Sequence, residues 1–345
     1  MLKRKLVKLG KSSLVISLPK DWLKSLELKP GDEIGLVIEK NGCLRVIPPR
    51  LMVRSKTNPI ILDVSRCAEP KILERALIGA YVVGRDPIII ESKVGLSPQQ
   101  LDEVRTVIDK IRGLEIVKES TNHIVLRTFL DPTKYPLAGL LRRLTNLIQT
   151  MIEYLLAAIR EKNNSYLGEI IYVEEEIDRI YFSALRQIFL AHKDEEIADM
   201  IGVKATSELL SLRMAVKMFE LLADTLSELA RKGLKLGGLL FKSIEASEEL
   251  INMLTDIEMA IDTITKTLIY GNISLTNELL NRIEAIRQKS EKVEFIVAEK
   301  ETSPDIACWV REVSWRLTGM LDAVRVVAEL AINISVDKAE RRFEC

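Results

Sequence analysis

The chain has 345 residues, 47% hydrophobic and 29% charged, with 50 basic and 50 acidic side chains in balance. That is a globular composition long enough for more than one domain, and its apolar runs of at most six residues fall far short of the roughly 18 a membrane span needs. Two histidines and four scattered cysteines, with no C-x-x-C pair, exclude histidine triads, H-E-x-x-H zinc sites, ferritin-type E-x-x-H sites and a disulfide scaffold. The expectation is a cytoplasmic protein that is not an enzyme, carries no cofactor and does not insert in a membrane, with reduced, structural cysteines.

The balance of charge hides a gradient. Residues 1–50 carry eleven basic against five acidic side chains, 51–135 carry thirteen against eleven, and 136–345 carry 26 against 34. A basic head thus precedes an acidic body, the asymmetry expected of a chain whose N-terminus faces nucleic acid.

In chain order, residues 1–50 predict strands at 3–9 and 13–18, a short helix over 20–26, a turn at Pro30-Gly31, and strands at 33–39 and 43–48 around Asn41-Gly42. Asn-Gly between alternating runs is a hairpin signal because a type I′ turn needs positive φ at both central residues. Gly10-Lys11-Ser12 resembles the end of a phosphate-binding loop, but position 5 is Lys5 and a strand-like run, not a helix, follows Ser13, so a nucleotide loop is excluded. Fifty residues of short strands cannot build a core alone, so the unit is expected to dimerise by interleaving its hairpins.

The stretch "KLGKSSLVISLPKDWLKSLELKPGDEIGLVIEKNGCLRVIP" resembles the AbrB/SpoVT swapped-hairpin DNA-binding domain in its basic strand, glycine, "S-x-x-x-S-L-P-K", short helix and "L-K-P-G-D". The resemblance implies a dimer whose first hairpin lies on double-stranded DNA. It points to Lys3, Arg4, Lys5, Lys8, Lys11, Ser12, Ser13 and Lys20 as DNA-binding residues. Gly10 would let the backbone turn close to the duplex.

Residues 51–135 read as β-α-β-α-β-β, a small α/β domain: "PIILDVS", a helix from Glu69 to Gly84, "PIIIES", a helix opened by Ser97-Pro98 with Leu101, Val104, Ile108 and Ile111 on one face, and a hairpin turning at Thr121-Asn122. No ligand motif appears there. The expected role is a spacer or second dimer contact, with a small-molecule pocket as the alternative.

Residues 136–345 are helical in period, with about six long helices in two sets of three, and Met214, Met218 and Phe219 read as core. An internal repeat shows at an offset of 109, pairing Asn163 with Asn272 and Glu220-Leu221 with Glu329-Leu330. Two three-helix units, with "VVAELAINIS" near the end, resemble the PhoU fold, whose acidic E-x-x-x-D pairs bind metal in many members. Registering on Ala331-Ile332-Asn333-Ile334 puts Arg325 and Glu329, and Val216 and Glu220, at those places, so no metal is expected. A rival register would use Glu220 and Asp224 with Glu174 and Asp178.

The expected architecture is therefore multidomain: a β swapped-hairpin dimer module at 1–50, a small α/β domain at 51–135 and an all-α, six-helix PhoU-like body at 136–345. Together the two resemblances imply an archaeal-type PhoU-family regulator of transcription with an AbrB-like head. It would act as a homodimer or higher even oligomer, bind double-stranded DNA, and receive a phosphate-linked signal from a protein partner. The alternatives are an adaptor that inhibits a phosphate transporter or sensor kinase, and an antitoxin-like binder that covers a toxin.

Overall fold

The computed structural model describes residues 2–38, 42–49, 58–65, 69–131, 134–237, 244–300 and 303–338. Asn41 of the expected Asn-Gly turn, Cys67 and Cys345 lie outside them. The chain divides into two units, Met1–Asn58 and Pro59–Cys345.

The first unit holds two separate antiparallel hairpins and a short helix. Strands β1 (Val7–Leu9) and β2 (Ser13–Val15) pair with Lys8 opposite Leu14. Helix α1 (Lys20–Ser25) follows Pro19, whose fixed φ suits a helix entry and whose carbonyl accepts from Leu23 N–H at 3.1 Å. Asp32 closes the next turn by accepting from the backbone N–H of Lys29 at 2.7 Å. Strands β3 (Gly35–Ile38) and β4 (Leu44–Ile47) form the second hairpin. All four strands are shorter than the alternation suggested. Among the described residues of this unit no large hydrophobic side chain is buried: Leu36 is 59% and Ile38 80% exposed.

In the second unit, β5 (Ile60–Asp63), α2 (Ile72–Val82), β6 (Ile88–Glu91), α3 (Pro98–Lys110), β7 (Leu114–Ser120) and β8 (His123–Thr128) build a four-stranded sheet in the order β5-β6-β8-β7. β5 and β6 run parallel across the α2 crossover, and the remaining neighbours are antiparallel. Wholly apolar Ile88 and Ile90 are buried at the centre, as a covered parallel strand requires. The capping box of α3 is complete: Ser97 Oγ accepts from Gln100 N–H at 3.2 Å and Gln100 Oε1 from Ser97 N–H at 3.0 Å. The N-terminus of α2 is closed from outside, because Glu103 of α3 accepts from the N–H groups of Lys71 at 2.9 Å and Glu74 at 3.1 Å.

The body comprises α4 (Leu137–Glu161), α5 (Ser165–Lys193), a short α6 (Glu195–Met200), α7 (Glu208–Leu236), α8 (Ile244–Tyr270), α9 (Ile273–Lys300) and α10 (Pro304–Asp337). Six long helices form two sets of three, α4-α5-α7 and α8-α9-α10, joined where α7 meets α10 and α4 meets α8. The repeat is physical: Asn163 Oδ1 accepts from Ser165 N–H at 3.0 Å, and its counterpart Asn272 accepts from Leu275 N–H at 2.9 Å, each in the turn between the first two helices of its set. Phe219 and Val216 are fully buried, and Met218 packs against the core. Met214, expected in the core, is instead about half exposed, and Cys43 and Cys308 are exposed thiols rather than core residues. No helix among the described residues is long and apolar enough to cross a membrane.

Candidate functional site

The β1–β2 hairpin turns through Gly10 at φ +68°, a left-handed conformation costly for a side chain with Cβ, and no atom lies within 4 Å of where that Cβ would stand. The turn is open on that side. Lys11 and Ser12 form its tip, Ser13 opens β2 opposite Leu9, and Lys8 lies one pair down the ladder. Lys3, Arg4 and Lys5 lead into β1, and Arg4 Nη1 donates to the carbonyl of Lys3 at 3.5 Å. Lys20 is the first residue of α1. All eight side chains are exposed. The structure gathers Lys8, Lys11, Ser12 and Ser13 on one hairpin; Lys20 stands on a separate element.

A second polar concentration lies in the body. Glu174 and Asp178, one helical turn apart on α5, converge with Asp224 of α7, their carboxylate oxygens within 4.8 Å of one another. Burial, then Asp178 and Asp224, push the Glu174 carboxyl up to about 7, although Arg231 stands 3.8 Å away. Asp178 and Asp224 are raised as well, mainly by burial and next by the neighbouring carboxylates. Glu220 adds to the rise on Asp224, but its carboxylate is not among the converging oxygens and is paired with Lys217 three residues back on the same helix.

The expected register is partly visible in this arrangement. Arg325 and Glu329 form an i, i+4 ion pair at 3.2 Å, and Val216 is core. The carboxylates that meet come from the rival register, less Glu220. Which pair faces which is decided by the rotation of α5 against α7, a packing outcome with no local signal.

Three carboxylates supply oxygen donors of the kind a hard cation prefers, and Lys217 and Arg231 bring positive charge beside them. At the repeat offset the second helix set places Ile283, Arg287 and Asn333 at the equivalent positions, which hold no carboxylate.

Comparison with known proteins adds two domain matches. Residues 7–52 match the family described as antidote-toxin recognition MazE, bacterial antitoxin, and residues 141–232 match the PhoU domain. Among solved structures, a protein described as a PhoU-like phosphate regulatory protein from Shewanella oneidensis MR-1 is 12% identical, with a TM-score of 0.42 over 61% of this chain and 100% of that one. No curated protein matches. The PhoU match takes in most of the first helix set, α4 to α7, and the MazE match takes in both hairpins. The chain thus joins a MazE/AbrB-like antitoxin-type domain at its N-terminus to a PhoU domain in its helical body.

Proposed function

We propose that this protein is a non-enzymatic, DNA-binding regulator of transcription linked to phosphate homeostasis, acting as a homodimer or higher even oligomer. The observation that carries the reading is the first hairpin. Its glycine turn and its cluster of exposed lysines, doubled in a dimer, suit a duplex backbone, to which lysines bring charge and Ser12 and Ser13 bring hydroxyl donors. Lys3, Arg4, Lys5, Lys8, Lys11, Ser12, Ser13 and Lys20 are the residues assigned to DNA. Exposed apolar strands in the same unit supply the reason for a dimer, since hairpins this short need a second chain to cover them. The PhoU domain supports the link to phosphate signalling through a protein partner.

A gel shift at low salt on genomic fragments, with recovered DNA sequenced, tests this. The intact chain should bind, and a chain lacking residues 1–50 should not. Equal binding by both would remove the reading. The exposed apolar strands also favour a second reading, in which the head covers a protein partner such as a toxin, or the chain serves as an adaptor; an intact protein that fails to bind DNA at low salt would support it.

A further inference from the structure

A cavity of about 110 Å³ opens where the α/β layer meets the helical body, and Tyr81, Arg112, Arg143, Arg179 and Arg186 are among its lining residues. Arg112 follows α3, Arg143 lies on α4, and Arg179 and Arg186 lie on α5. Four guanidinium groups around so small a space would repel one another without intervening negative charge. Three of them share one carboxylate: Glu176 receives Arg112 at 2.8 Å, Arg143 at 2.6 Å and Arg179 at 3.5 Å. The fourth, Arg186, takes no part in that sharing: Asp86 acts on it from beyond ion-pair distance, and Asp131 also lines the cavity.

Arg186 is 6% exposed, and no carboxylate reaches it within ion-pair distance among the described residues. Its Nη1 donates to the carbonyls of Tyr81 and, at 3.4 Å, Arg85, and its guanidinium lies 4.7 Å from the centre of the Tyr81 ring. Those contacts at the C-terminal end of α2 explain one nitrogen. Nε is buried and has no acceptor among the described residues. A guanidinium does not deprotonate, and a buried cation with no carboxylate in ion-pair reach is costly, so an anion in the cavity would complete the arrangement.

We propose that this cavity binds a small tetrahedral oxyanion, inorganic phosphate or sulfate, held by the buried Arg186 and by the arginines now shared on Glu176. Arginine forks match the oxygens of such an ion bidentately, whereas lysine would offer a point charge. The size decides against larger anions: pockets for drug-sized ligands run about 300–1,000 Å³, several times this volume. The site does not rest on the reading of the head as a DNA binder.

Calorimetry and thermal melting of the full-length protein test it, with phosphate, sulfate or glycerol 3-phosphate added at millimolar concentration against chloride of matched ionic strength. Phosphate and sulfate should each bind at one site per chain and raise the melting temperature where chloride does not. Arg112→Gln and Arg143→Gln alter side chains about half exposed, 49% and 52%, so both variants should fold and each should bind phosphate about tenfold more weakly or worse. Glu176→Gln, which removes the competing carboxylate, should bind it more tightly. DNA binding measured on the same preparations separates failure of this site from failure of the head. The proposal is overturned if phosphate acts no differently from chloride, or if both arginine variants bind it like the parent. Tighter binding of glycerol 3-phosphate than of phosphate would overturn the assignment to a free ion.

Discussion

Glu174 of α5 lies 3.8 Å from the guanidinium of Arg231 on α7, and that one cation does not offset the burial and the two aspartates beside it. A carboxyl raised to about 7 in the folded protein and near 4.5 when unfolded binds more protons folded than unfolded between those values. Stability contributed by this group therefore falls as pH rises from about 4.5 through 7, and the raised Asp178 and Asp224 act in the same sense. Urea unfolding should show a body more stable at pH 5.5 than at pH 8. Glu174→Gln should recover about 1–2 kcal/mol at pH 8, allowing for solvent screening, and flatten the profile. A profile unchanged by the substitution would contradict this account.

Chelation should leave the melting temperature of the body unchanged, because Lys217, Arg231 and a proton on Glu174 supply the countercharge at the acidic cluster. Metal analysis of protein purified without chelator checks the same point. Stoichiometric iron, manganese or zinc, with loss of stability on removal, would show the three carboxylates to be ligands.

DNA affinity should be largely electrostatic. If a dimer neutralises about six to eight phosphates, log K falls against log salt with a slope of about −5 to −7. Lys11→Ala, present twice in a dimer, should weaken binding to all sequences and flatten that slope by about 2, while Arg4→Ala should also relax sequence preference. Filter binding over a salt series on two unrelated duplexes separates the effects.

Leu36→Lys places a charge on a strand whose apolar side chains are exposed in the single chain. If a second chain covers that strand, sedimentation should show the variant shifted toward monomer, with the helical content of the body retained. A variant that keeps the parent's mass would move the dimer contact away from β3.

Glu103→Ala should destabilise the protein by about 0.5–2 kcal/mol at pH 7, since it uncaps α2. Burial pushes this carboxyl up, but the N–H groups of Lys71 and Glu74 and the amide of Gln99 outweigh it, so its pKa is lowered overall. Its contribution is present above about 4.5 and disappears as pH falls through the lower folded value, so parent and variant should converge in acid. Denaturant melts at pH 7 and below pH 4 provide the comparison.

Local chemistry was legible from the residues, and side-to-side placement was not. Ser97-Pro98 announces α3 because a cap needs only its own next turn, and Asn163 and Asn272 reveal the repeat because each answers to the helix that follows it. Glu103 gave no such sign: it caps a helix about 30 residues earlier, and within α3 it reads as one more solvated acid. Arg186 is similar, an arginine on a long amphipathic helix whose partners, Tyr81 and Arg85, are about a hundred residues away. The strands of the head are shorter than the alternation predicts, because alternation continues in the sequence past the point where the ladder bonds stop.

Gly84 closes α2 with φ +82°, and a Cβ there would stand 2.5 Å from Leu190 of α5. Near it, Lys193 Nζ donates to the carbonyl of Val83 at 2.6 Å, and Gln187 Nε2 donates to the carbonyl of Tyr135 at 2.8 Å. For anyone dissecting the protein into fragments, this seam is the wrong place to cut. A recombinant piece beginning at Pro136 would strip the far half of α5 of its cover, leaving Arg186 and Leu190 bare on an otherwise finished surface, and would be sticky in solution. A piece beginning at Pro59 keeps both faces of that helix occupied, and it is the fragment to make for crystals or for binding work without the head.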